Sequence, residues 1–391
     1  MKHFLFFRLR NICYNSYNYF SGALAEALLN CSHTVSVFSG EKEPLEAMER
    51  FVGQKFDAMV DFNSNLPKLK MEDGSYFLDQ IDAPFYDIIL DHPLYHHDML
   101  KHKLKNFHVI CLDENHKTYI ENYYPHINSV HVLPMTGEDI APGETGLPKK
   151  NIGLLFSGSY TPPGEVAASI KDIPDFMGEI TNNLIEKLKA DPCITQEAAL
   201  RTMLPDLDEI VEELFPLHMQ ACFLADSYIR AFRREEILTS LAKEKIPMTV
   251  CGNGWRKSPL ADFQNVSVID DTDFKDTFSL FRQAKITLNI MPEFKAGAHD
   301  RIYSSMLNKS LCLTDPSSMV RHQFTEGKEL VFYNVNQPDA LCEKVKELLL
   351  DDAGREEITE NGYKKALAEH TWANRGKDFL QIIENHTAKK G

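Results

Sequence analysis

The stretch GAHDRIYSSMLNKSLCLTD, residues 297–315, places Gly297, His299, Asp300 and Arg301 directly before a run with helical spacing. Glycine lets a backbone approach an anion, and the first N–H groups of a helix lack internal acceptors. Histidine and arginine add charge-assisted donors. These residue types suit a phosphate or diphosphate, which a partly buried helix end stabilises by up to ~2 kcal/mol. The plainer reading is a helix capped by Asp300 with a solvated Arg301. Basic and glycine residues meeting at a strand-to-helix junction favour the anion site. Asp315, after the next strand, reads as a turn cap before it reads as an acceptor for sugar hydroxyls.

Two further glycine turns follow apolar runs. Gly158-Ser159-Tyr160 could bring backbone amides and a hydroxyl to a phosphate, although a plain β-turn closed by Pro162-Pro163 reads the same way. Gly252-Asn253-Gly254-Trp255 permits a tight turn with an indole that stacks or packs. Arg230, Arg233 and Arg234 share a face of one expected helix. Glu235 and Glu236 oppose them, so Arg233 and Arg234 are held as phosphate contacts of second rank.

Asp91-His92-Pro93 ends a strand-like run and opens a helix. A carboxylate or imidazole fixed there suits a general base, and His92 equally suits a cap ahead of Pro93. His92, His96 and His97 raise a metal reading, but no established ligand pattern supports it, so no metal is expected. Asn15 and Tyr17 are candidates for acceptor contact. Cys13 has no identifiable activating partner.

The elements that must position these residues alternate. Apolar runs at 3–8, 34–38, 58–61, 87–90, 108–112 and 129–133 are separated by helical patterns at 17–29, 44–52, 93–104 and 116–124. That alternation predicts a parallel sheet covered on both faces, spanning 1–135. Residues 136–150, MTGEDIAPGETGLPKK with its preceding Met135, are rich in Gly and Pro and read as a linker. A second series has strands at 151–157, 248–251, 266–269, 286–290, 310–314 and 330–333, forming a lobe over 151–370. Residues 174–245 read as a helical insertion, with its last helix broken at Pro216. Helices at 340–350, 354–370 and 371–385 close the chain.

The 391 residues, 43% of them hydrophobic, suffice for two cores. A net charge of -15, from 42 basic and 57 acidic residues, argues against nucleic acid and anionic membrane as partners. Eight scattered cysteines without a CxxC pair read as buried thiols in a reducing, cytoplasmic setting. No apolar run approaches a membrane span.

FSGSYTPP, IPMTVCGNGW, GAHDRIYSSMLNKSLCLTD, EGKELVFY and HTWANR occur in this order. The pattern resembles the C-terminal lobe of bacterial CgeB-like, DUF3880-associated glycosyltransferases, over about 151–385. The resemblance implies a GT-B fold: two Rossmann-like lobes, an interlobe cleft, and a nucleotide sugar held mainly by the second lobe. It further implies a final helix (371–391) bracing the first lobe, and catalysis without bound metal or other cofactor. The donor contacts it implies are Gly158, Ser159, Tyr160, Gly252, Asn253, Trp255, His299, Asp300, Arg301 and Ser304. Ser304 stands where broader retaining GT-B families carry a Glu after R-x-[FY]. An inverting path would use Asp91 or His92 as base. The expected activity is transfer of a sugar to a protein, glycan or other acceptor. A degenerate glycan- or nucleotide-binding protein and a sugar-nucleotide epimerase are the alternatives.

Overall fold

The computed structural model describes residues 1–9, 15–204, 209–270 and 272–388; Cys13 lies outside them. Two compact units result. One comprises the described residues of Met1–Met135 with His370–Gly391, and the other comprises Thr136–Glu369.

The first unit holds six parallel strands: β1 (His3–Arg8), β2 (Thr34–Ser39), β3 (Ala58–Phe62), β4 (Phe85–Ile88), β5 (Phe107–Cys111) and β6 (Ser129–Val132). Their order is β2-β1-β3-β4-β5-β6. Phe4 to Phe7 are all buried, as a strand covered on both faces requires. The chain steps from β1 out to β2 and then back past β1 to β3. The direction of winding therefore reverses between β1 and β3, which opens a crevice at the carboxyl ends of those strands. Helix Trp372–Ala388 packs in this unit against helix Ser16–Asn30. A Cβ on Gly376 would lie 2.9 Å from the Ala27 Cβ, so glycine sets how closely the two helices approach. Trp372 Nε1 donates to the Tyr19 hydroxyl at 3.0 Å, and Arg375 Nε to the Pro134 carbonyl at 2.6 Å.

The second unit holds β7 (Ile152–Ser157), β8 (Met248–Cys251), β9 (Val266–Ile269), β10 (Ala284–Asn289), β11 (Leu311–Thr314) and β12 (Val331–Phe332). These are again parallel, in the order β12-β11-β10-β7-β8-β9, so winding reverses between β7 and β10. Between β7 and β8 run helices Pro163–Lys171, Asp175–Ala190, Gln196–Arg201, Glu209–Ala221 and Phe223–Lys243. The last is no mere appendage. Its Ile237, Leu238 and Leu241 share one buried cluster with Leu154, Val250, Ile286 and Leu288, so it is the crossover helix of the sheet. Pro216 lies inside helix Glu209–Ala221, and the break comes instead at Cys222. A proline removes one hydrogen bond and bends a helix without always ending it.

Residues 136–150 have no regular element, but they are tied down within the second unit. Lys309 Nζ donates to the carbonyls of Glu144 and Gly146 at 2.8 and 2.6 Å, and Asn308 Nδ2 to Glu138 O at 2.9 Å. Cys111, Cys222, Cys251, Cys312 and Cys342 are buried free thiols. No helix among the described residues is long and apolar enough to cross a membrane.

Candidate functional site

At the β7/β10 reversal three turns meet. Gly158 follows β7, Gly252 follows β8, and the segment from Ile290 to His299 runs from β10, which ends at Asn289, to the helix that holds Arg301. The first two turns are zipped together: Gly158 N donates to Cys251 O and Tyr160 N to Asn253 O, each at 2.8 Å. This proximity explains the glycines. Gly252 has φ 129, and a Cβ there would sit 2.7 Å from Gly158 O. Gly254 has φ 92, and its Cβ would meet Tyr160 O at 2.4 Å. Only glycine accepts both the dihedral and the contact.

Cationic side chains border this double turn. Arg301 Nη1 donates to Asn289 Oδ1 at 3.0 Å, and Arg301 lies 5.6 Å from the centroid of the Phe156 ring. Its Nη2 would be 3.4 Å from a Cβ on Gly158. His299 Nδ1 meets the same Asn289 Oδ1 at 3.0 Å, and its Nε2 lies 3.2 Å from Glu293 Oε1. An Oδ1 can only accept, so Nδ1 of His299 carries a proton. Arg234 Nη1 donates to Ser159 O at 3.1 Å, and Arg230 pairs with Asp226 at 2.9 Å.

Electrostatics bind the group together. Burial alone would raise the Glu293 carboxyl. The hydrogen bond from His299 and the charges of His299, Arg230 and Arg234 hold it well below the usual carboxylate range instead. Burial raises Asp300, against the pull of Arg301 and His299. Among the buried polar atoms with no hydrogen-bond partner within the described protein are the Arg234 Nε donor and the Glu293 Oε2 acceptor, both beside the double turn. A buried group left in that state costs about 1–3 kcal/mol.

The β1/β3 reversal of the first unit carries a polar cleft, lined by Arg8, Tyr17, Asn18, Ser21, Asn63 and Asn65 among others. Asn63 Nδ2 donates to Asp91 Oδ2 at 3.1 Å and to the Tyr17 hydroxyl. Arg8 Nε donates to Ser21 Oγ at 2.9 Å. Asn15 stands at the start of helix Ser16–Asn30 with φ 67.

A glycosyl transferase-like family matches the chain over residues 233–381. Solved structures match over more of it. T4 phage BGT in complex with UDP-glucose is 13% identical with a TM-score of 0.54, over 98% of this chain and 99% of that one. Sucrose-phosphate synthase from Thermosynechococcus elongatus is 9% identical with a TM-score of 0.56, over the whole of both chains. TarM is 11% identical with a TM-score of 0.50, over 86% of this chain but only 57% of its own length. The fold is GT-B. No curated protein matches the chain.

Within this GT-B chain, several expected contacts are redirected. Trp255 is fully buried and donates Nε1 to Gly158 O, so it props the turn from beneath and cannot stack on a ligand. Tyr160 is buried too, its ring 4.8 Å from Trp255 and its hydroxyl on Glu235. Arg233 turns away from the double turn, to Glu236, the Lys189 carbonyl and Asn336 Oδ1. Ser304 is fully buried. Its Oγ donates to Asp300 O at 2.9 Å and would lie 2.3 Å from a Cβ on Gly137. Asp300 is the first helical residue, and no side chain caps that helix. Asp315 locks a turn by accepting Met291 N with both oxygens, at 3.0 and 3.2 Å.

His92 is a cap: its Nδ1 accepts Leu94 N–H at 3.0 Å. In the neutral ring the proton then sits on Nε2, which leaves no lone pair for general-base work. His97 faces the Tyr124 hydroxyl at 2.9 Å. No group of three His, Cys, Asp or Glu side chains among the described residues is placed to hold a metal. Sequence reasoning missed Asn289, Glu293 and Asn63, each an unremarkable polar residue at or just past a strand end. That position was the available signal.

Proposed function

We propose that the protein is a glycosyltransferase that binds a nucleotide-sugar donor at the β7/β10 edge and transfers the sugar to a hydroxyl acceptor. The observation that carries this reading is the convergence of Arg301 and Arg234 on the Gly158-Ser159 turn at a winding reversal, with His299 joined to Arg301 through Asn289 Oδ1. The diphosphate would meet Arg301, His299 and the amides of the double turn. Arg234 Nε would gain an acceptor, and Glu293 Oε2 a sugar hydroxyl donor.

In a single displacement, Asp91 would take the acceptor proton while the acceptor oxygen attacks the anomeric carbon. The bond to the diphosphate breaks, and its electron pair goes to the departing phosphate oxygen. The guanidinium groups and the His299 ring N–H offset that charge in place of a metal. The cleft beside Asp91 offers amide and hydroxyl side chains with Arg8 and Asp61, which suits a polyhydroxylated acceptor such as a glycan.

Titration calorimetry and thermal shift with UDP, GDP, ADP and their sugar conjugates test the reading, since a ligand that binds only the folded state raises Tm. UDP-glucose, present in the T4 phage neighbour, is the first donor to try. Absence of binding and of sugar release across the whole panel would sink it.

A further inference from the structure

Asn63 occupies a left-handed backbone position, φ 44, directly after β3. Asparagine is among the few side chains that tolerate this region. Every polar atom of its side chain is committed. Oδ1 accepts Leu90 N–H at 2.8 Å. A backbone N–H only donates, so this bond fixes the amide orientation and turns Nδ2 toward Asp91 and Tyr17. Nδ2 donates to Asp91 Oδ2 at 3.1 Å and to the Tyr17 hydroxyl. The Asn63 N–H in turn donates to Ile88 O at 3.0 Å, pinning it to the end of β4. One side chain therefore joins the helix after β1, the turn after β3 and the turn after β4 at the winding reversal.

We infer that Asn63 is a positioning residue, holding the Asp91 carboxylate and the Tyr17 hydroxyl in one hydrogen-bonded chain at the rim of the first-unit cleft. For catalysis, the inference rests on the reading of Asp91 as base. A carboxylate with one oxygen held by an amide presents its other oxygen in a defined direction. The groups around this edge are Arg8 from β1, Tyr17 from helix Ser16–Asn30, Asp61 from β3 and Asp87 from β4. His92 and His96 come from the turn after β4, and His116 from helix Glu114–Tyr123. Among these, Asn63 donates its amide N–H to Asp91 Oδ2.

The test uses the full chain with 13C-carboxyl-labelled aspartate, Asp91→Asn identifying the resonance, and UDP-glucose as donor probe for turnover. Asn63→Asp keeps the left-handed turn but replaces the donor with a second carboxylate. Asn63→Gly keeps the turn and removes the side chain. The expected result is that the Asp91 carboxyl resonance, read at one pH, moves from its wild-type position in both variants, since the amide donor to Oδ2 is gone. With it, kcat should fall at least about tenfold while donor KM holds. An Asp91 resonance unmoved in both variants would overturn the inference. Wild-type turnover in Asp91→Asn would overturn the base reading alone. The resonance then still decides whether Asn63 governs Asp91, and it does so even if UDP-glucose is not turned over. Should Asn63→Asp fail to fold, Asn63→Gly carries the same comparison.

Discussion

Trp255 donates its indole N–H to the carbonyl oxygen of Gly158 at 2.7 Å, tying the turn after β8 to the turn after β7. The indole is fully buried, so its loss takes from the half-buried Gly158 carbonyl an enclosed donor. Trp255→Phe should lower stability by about 1–3 kcal/mol, mostly through that lost donor. It should also weaken nucleotide binding through the displaced turn. Denaturant unfolding together with calorimetry reads both, and unchanged values for both would refute the strut.

Gly252→Ala tests the close approach itself. The added Cβ would press on Gly158 backbone at 2.7 Å, at a φ that alanine rarely adopts. The cost should be about 1–3 kcal/mol from the dihedral alone, with the clash added. A fall in Tm with loss of nucleotide affinity is expected; a Tm equal to wild type would show that the two turns yield freely.

Arg301→Gln removes the guanidinium while keeping an amide near Asn289. If the double turn binds a diphosphate, UDP affinity should fall by about 10- to 100-fold, the scale of a lost charge-assisted hydrogen bond. Arg301→Lys should recover only part, because a lysine lacks the fork. Unaltered UDP affinity in Arg301→Gln would remove this residue from the donor site.

Asp315 supplies a pH signature of stability. Burial pushes its carboxyl up to about 7, with Glu293 adding to the rise and Met291 N–H and Lys295 opposing it. Between the ordinary carboxylate value and about 7, the folded chain then holds a proton that the unfolded chain has released. Stability therefore falls as pH rises through that window, by up to on the order of 4 kcal/mol. Glu293 shifts the opposite way, and its contribution is lost only in strong acid, below the ordinary carboxylate range. Asp315→Asn should flatten the profile between about pH 4 and 7 in urea titrations. An equal slope in variant and wild type would contradict this.

Ser304→Glu asks whether the residue common in broader retaining GT-B families fits here. Ser304 is fully buried, with its Oγ close against Gly137. The larger, charged side chain should unfold the variant or lower Tm steeply, whereas Ser304→Ala should cost about 1 kcal/mol. A well-folded Ser304→Glu with raised donor affinity would show that this position faces the ligand after all.

The amino-acid sequence by itself determined the two parallel sheets. Strands buried on both faces must be apolar along their whole length, so runs such as FLFF at 4–7 and LCL at 311–313 mark them without any long-range information. It also determined the glycine turns at 158, 252 and 254, because a positive φ under a neighbouring backbone leaves glycine as the residue that fits. What the tertiary structure decided is where each side chain beside those turns points. Arg233 and Arg234 are adjacent in sequence but roughly 100° apart around their helix, so one reaches Asn336 and the other Ser159. Trp255 and Tyr160 turn inward because the core beneath β7 and β8 has room for two rings. Asn63 meets Asp91 only because β3 and β4 pair in register, Phe62 opposite Ile88, which brings the two following turns side by side. Spacing along the chain sets which residues stand at a strand's end; the pairing of distant strands and the rotation of each helix set which of them meet.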